Sequence, residues 1–309
     1  MPTDVLDQRL GFVLDAFRED AMLNRRAQFG VMLMLLVAAI GACDAVLVRY
    51  LSGGVHPFVM AFTRALFGAL VMLPWILNRP GIMKTNRIWL HVLRASLKLI
   101  SLVALFVALA NAPLATVTAI GFAAPIFVTV GAWVFLGEKP RGILIAGVVI
   151  GFVGVLVLLR PTGGEMNIAL VFALVSALLV GTIQLILKYM GATEKADTLV
   201  AWNLLVTVPI ALVPAIWVWT PPTSFEWLLL GVQGAIGAGA QFCVTKAFQF
   251  ADASLVAPVD FVRLPFVAAA AYLIFGELAD RATWIGGAII FVSVLIIATS
   301  TRNRGVPES

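Results

Sequence analysis

The chain has 309 residues, of which 61% are hydrophobic and 12% charged, and a mean hydropathy of +1.03, which leaves too little polar surface for a water-soluble domain of this length. Its net charge of +5 would suit nucleic acid only if the basic residues lined one polar face; they are scattered between apolar runs, so no nucleic-acid partner is expected. Those runs are continuous over about 20 residues, enough for a helix to cross about 30 Å of hydrocarbon, which excludes the short alternating segments of a spanning β-barrel.

Residues 1–28 are polar, with Leu6, Leu10, Val13, Leu14 and Phe17 at helical spacing among acidic and basic residues. This pattern predicts a cytoplasmic amphipathic segment and no cleavable signal peptide. Apolar runs then predict spans at 29–50, 57–77, 88–110, 113–136 and 141–159, followed by 167–189, 198–219, 227–250, 253–275 and 281–299. With the N-terminus inside, thirteen Lys and Arg residues between spans fall on the cytoplasmic side and three (Arg49, Arg160 and Arg281) outside. Such a bias accompanies correct insertion, so it supports ten spans with both termini cytoplasmic.

Sliding the sequence by 139 positions lays 113–138 on 252–277, matching Val117 with Val256, Phe122 with Phe261, Phe127 with Phe266, and Gly137-Glu138 with Gly276-Glu277. The same offset puts Arg49 on Lys188. The reading is an all-α integral membrane protein of ten transmembrane helices in two repeats, 29–160 and 167–301, with a cytoplasmic tail at 302–309. Five spans per repeat is an odd number, so the halves must lie inverted in the bilayer, an arrangement suited to alternating access.

Several motifs carry a family resemblance. They are His56-Pro57-Phe58 leading to Phe62-Thr63-Arg64, the run Ala108 to Ala115, and Pro125 followed by Gly137-Glu138. In the second half they are Asp260-Phe261-Val262-Arg263-Leu264-Pro265 and Gly276-Glu277. In order and spacing they resemble the drug/metabolite transporter superfamily, specifically its ten-helix EamA-type members. The resemblance implies small-molecule transport; its cargoes include amino acids, nucleotide-like metabolites, vitamins such as riboflavin, and drugs.

Charged residues at membrane depth need a partner, a cavity or a route to the interface. Lys98 and Arg263 fall near mid-span and are the leading site candidates, whereas Arg94 and Lys246 lie nearer the cytoplasmic ends, where long stems reach the interface. Asp260 lies three residues before Arg263 and is placed to pair with it on one helix face. Asp44 and Arg64 come out at similar depth and are placed to pair across neighbouring helices. The embedded set carries excess positive charge, which a carboxylate or phosphate on the cargo would complement. Pro125 and Pro265 each remove a backbone hydrogen bond in mid-span, beside Phe122 and Phe261, which are placed to stack on a flat cargo. Gln184, Gln233 and Gln241 add uncharged polar candidates. Glu138 and Glu277 close helices just before the next one begins, so a cap on the following helix and a gating role both stay open.

Cys43 and Cys243 lie inside apolar runs, and His56 and His91 sit at span ends and read as interfacial. No disulfide, metal or cofactor is expected. The expected function is a secondary transporter of small polar organic metabolites, amino-acid-like or vitamin-like and with an acidic group, across the cell inner membrane. Its partners are that substrate and the lipid bilayer, with a coupling proton or ion and a homodimer left open. An exporter of drugs or toxic metabolites on the same fold is the alternative, followed by an intramembrane enzyme acting on a lipid-linked substrate. No His/Asp or Ser/Lys constellation at one depth supports that enzyme.

Overall fold

A computed structural model describes residues 28–79, 81–135, 137, 142–159, 167–191, 193–250 and 257–302. The N-terminal segment 1–27, Glu138 and the tail after Arg302 lie outside the described residues. Every regular element among the described residues is helical. In chain order they are α1 (Gln28–Leu51), α2 (Pro57–Leu77), α3 (Ile88–Asn111), α4 (Leu114–Gly121), α5 (Ala124–Phe135) and α6 (Gly142–Leu159). They continue as α7 (Ile168–Gly191), α8 (Ala196–Trp217), α9 (Ser224–Phe250), a 3₁₀ turn (Ala257–Val262), α10 (Arg263–Phe275) and α11 (Arg281–Arg302).

Local chemistry sets the helix starts. Pro57 opens α2, where its missing N–H is harmless, and His56 before it accepts the Phe58 N–H at 3.3 Å through Nδ1. Thr223 and Glu226 form a reciprocal capping box at the start of α9, with the Glu226 carboxylate accepting the Thr223 N–H at 2.7 Å and the Thr223 hydroxyl accepting the Glu226 N–H at 3.3 Å. Asp280 caps α11 by accepting the Thr283 N–H at 2.8 Å.

Eight segments are long and apolar enough to span a membrane, α4 and α5 counting together as one. Their outward faces carry exposed apolar side chains such as Leu70, Val149, Leu156 and Leu178, as expected of a multi-pass membrane protein solvated by lipid. Inside, α2 packs on α8 and α9, α3 on α7 and α8, α4 on α10, and α6 on α11. The contact of α6 with α11 is glycine-lined. A Cβ on Gly154 of α6 would stand 3.0 Å from the Gly286 carbonyl of α11, and the Ser293 hydroxyl donates to the Gly147 carbonyl at 2.7 Å.

Two expected spans are interrupted. The span at 113–136 is two helices, and in the stretch expected at 253–275 the described part is the 3₁₀ turn followed by α10. Pro265 accordingly lies in the first turn of α10, where a missing N–H costs little, rather than in mid-helix.

Candidate functional site

The interruptions bring the site together. Pro125 has no N–H to offer the Gly121 carbonyl, and the chain crosses the gap with tighter bonds, Phe122 N–H to the Ala119 carbonyl at 3.3 Å and Ala123 N–H to the Ile120 carbonyl at 2.9 Å. This break aims Phe122 at the 3₁₀ turn. Phe122 and Phe261 stack with ring centroids 4.2 Å apart and planes 24° apart, and Phe291 of α11 lies 4.8 Å from Phe261. The Arg263 guanidinium lies 5.2 Å from the Phe122 ring centroid and donates to Asp260 Oδ2 at 2.7 Å. Asp260 Oδ1 and Arg263 Nε remain buried without a hydrogen-bond partner. The ion pair read from the spacing is therefore present, and it is incompletely satisfied.

The first helix links this group to a second. Gly41 makes room for the Arg263 stem, since a Cβ there would stand 2.6 Å from Arg263 Cδ. One turn further on, Asp44 accepts a hydrogen bond from Arg64 of α2 in a half-buried ion pair, as the sequence suggested. Arg64 in turn lies against α9, where a Cβ on Gly237 would meet its Nη2 at 3.0 Å. Lys98 is half-buried on α3, and its charged neighbours are the guanidinium groups of Arg64 and Arg94. Among the described residues it has no carboxylate or hydrogen-bond partner. Asp44 thus pairs with Arg64 and Asp260 with Arg263, while Lys98 is left beside guanidinium groups alone. Gln233 of α9 is fully buried, with both amide atoms unpartnered.

Other candidates fall elsewhere. Gln184 and Gln241 are exposed on α7 and α9. Of the other aromatic side chains near the two breaks, Phe127 makes an edge contact with Phe152, and Phe266 and Tyr272 are exposed, so the stacked cluster consists of Phe122, Phe261 and Phe291. Glu277 does accept a helix-terminal N–H, but it is that of Leu114 in α4, at 3.1 Å, and not one in the following helix. Gly276 ends α10 at φ 69°, a left-handed conformation that suits glycine, and the next residue turns back toward α4. The Glu277 carboxylate also pairs with Arg49 at 2.7 Å, while Arg49 donates to the Leu109 and Ala112 carbonyls.

The opposite end of α3 holds a cluster that sequence reasoning missed. His91 and Arg94 are covered by neighbouring helices, at 0% and 4% exposure. His91 Nε2 lies 2.7 Å from Glu194 Oε2 in the α7–α8 connection, and the Thr85 hydroxyl donates to the other carboxylate oxygen. Arg94 donates to the Leu199 carbonyl, and Trp202 of α8 stacks on the imidazole at 5.2 Å. Glu194 gave no sequence signal beyond being a loop carboxylate. The histidine gave a weak one, standing three residues before Arg94 and seven before Lys98 on one helical face.

A multi-pass helical protein with paired charges and an unpaired lysine inside the bundle is of the kind that moves small solutes. The chain belongs to the EamA-like transporter family, whose model matches it twice, at residues 28–160 and 167–299. It is 31% identical over 275 residues to an S-adenosylmethionine uptake transporter of Rickettsia prowazekii, covering 89% of this chain and 94% of that protein. A riboflavin transporter of Rhizobium johnstonii is 32% identical over 250 residues, covering 79% and 82% of the two chains. The pseudopaline exporter CntI of Pseudomonas aeruginosa is 27% identical, covering 89% and 97%. A solved crystal structure at 18% identity shares the fold, with a TM-score of 0.60 over 92% of this chain and 99% of that one. The protein is a small-metabolite transporter of this family.

Proposed function

We propose that the chain is a secondary carrier in the cell inner membrane, with ten spans, both termini cytoplasmic, and two inverted five-helix halves that open a shared site alternately to either side. The observation that carries this reading is the stack of Phe122 on Phe261. These residues are 139 positions apart, the repeat offset, and a residue can touch its own repeat mate only near the axis that relates the halves. Gly137 and Gly276 keep the same offset and the same backbone, with φ of 66° and 69°. The helix contacts support it too, because α2 on α9 has its counterpart in α3 on α8, while α2 on α8 and α6 on α11 are their own counterparts.

The cargo is a small polar metabolite with a flat ring and an acidic group. Phe122 and Phe261 supply the stacking surface, Lys98 the counter-charge for a carboxylate, and the free atoms of Asp260 and Arg263 the hydrogen bonds that orient it. The relative named for S-adenosylmethionine uptake supports a cargo with both a flat ring and a carboxylate, and the one named for riboflavin supports the flat ring alone. Asp44 and Arg64 hold the wall opposite. Uptake of S-adenosylmethionine, riboflavin and amino acids into proteoliposomes tests the reading. Lys98→Gln and Arg263→Gln are each expected to weaken cargo affinity about tenfold or more, the scale of a lost charge-assisted hydrogen bond. Unchanged uptake and affinity in both variants would reject the site.

A further inference from the structure

His91 is fully buried, bonded to Glu194 through Nε2, and its Nδ1 is buried without a partner. The bond to a carboxylate fixes the ring as an Nε2–H donor, so Nδ1 is left as a basic nitrogen with a free lone pair. Adding a proton there makes an imidazolium whose charge Glu194 meets through Nε2–H···Oε2, and no other bond forms or breaks. The charged groups acting on the ring are Glu194 from the α7–α8 connection and Arg94 from α3; Trp202, packed from α8, is uncharged. His91, Arg94 and Lys98 then form a row along one face of α3. Seven residues separate the imidazole from Lys98, a rise of about 10 Å. At that distance in a partly dry interior, charges still interact appreciably.

We propose that the His91–Glu194 pair is a proton-binding site coupled through this row to the cargo site at Lys98. The pairing is reciprocal. A proton on His91 favours an anionic group at Lys98, and an anionic group favours the proton, so cargo and proton bind together. The proposal rests on the carrier reading for its role in transport, and on the α3 cluster alone for the site itself.

The chain has two histidines, so the full-length protein with ¹⁵N-labelled histidine in lipid nanodiscs gives two imidazole signals, and His91→Gln identifies one of them. His56 serves as the folding control. The expected result is a His91 ring that takes up its second proton at Nδ1 within the pH range over which the protein stays folded, while Nε2 stays protonated. Glu194→Gln should lower the ring's proton affinity by about threefold or more, and Lys98→Gln should raise it by a smaller amount because that charge lies about 10 Å along the helix. An Nδ1 held in one state throughout, or a midpoint common to wild type and both variants, overturns the proposal. A second arm loads proteoliposomes with a pH dye and offers S-adenosylmethionine and riboflavin. Uptake accelerated by a pH gradient in wild type but not in His91→Gln is expected, and wild-type uptake indifferent to the gradient overturns the proton site while leaving the carrier reading intact. A ring that titrates as described in vesicles that take up neither probe supports the proton site and counts against the carrier reading.

Discussion

At the α3–α4 end the bundle is fastened by a guanidinium, a carboxylate and backbone groups, whereas at the α2–α3 end an imidazole shares a carboxylate with a threonine. Arg49 and Glu277 together engage two carbonyls and one helix-terminal N–H, so this fastening closes on itself. The His91 and Glu194 cluster is drier and less complete, with Nδ1 of the histidine and Nε of Arg94 left over. Arginine keeps its charge at any accessible pH, while histidine changes charge near neutrality. The two ends of one bundle therefore differ in chemistry, with a permanently charged side chain at one and a titratable side chain at the other.

Breaking each tie should give costs in a definite order. Arg49→Ala strands a half-buried carboxylate and two carbonyls and is expected to cost about 2–4 kcal/mol, read as the fall in thermal unfolding in nanodiscs. His91→Ala removes a buried ring and frees one oxygen of Glu194, an expected loss of about 2–3 kcal/mol in the same assay. Gly276→Ala forces a side chain into the left-handed turn that precedes Glu277, for about 1 kcal/mol. Thr85→Val removes the hydroxyl that donates to Glu194 and accepts the Arg87 N–H, and should cost least, about 1 kcal/mol, because the carboxylate keeps His91 and the part-buried N–H lies at a helix start. A double-mutant cycle sharpens the comparison: Arg49→Ala with Glu277→Gln should couple by about 1–3 kcal/mol, and Arg49→Ala with Glu194→Gln by roughly nothing.

Much of the scaffold was legible because apolar runs encode helix length directly. The run at 57–77 became α2 over those same residues, and the run at 88–110 became α3 with one residue more. Local pairs were legible too: Asp260 with Arg263 follows from i, i+3 spacing, and Asp44 with Arg64 from matched depth. Long-range partners were not. Nothing in the spacing of Glu277 distinguishes the N-terminus of α11, four residues on, from that of α4, because the choice is made by the turn at Gly276 and by Arg49 arriving from α1. Glu194 escaped notice for the same reason, as a carboxylate in a short connection looks solvated until α3 packs beside it. His91 and Arg94 were read by depth alone, and depth gives no indication that α8 covers them.

The phenylalanine stack is the point on which the carrier reading turns, and accessibility tests it most directly. In a chain with Cys43→Ser and Cys243→Ser, Phe122→Cys can be probed in sealed, oriented vesicles with a membrane-impermeant thiol reagent added to one face at a time. Alternating access predicts labelling from both faces, with added cargo slowing it from each. Labelling confined to one face, or unreactive from both while a cysteine at exposed Gln241 labels freely, would contradict the account.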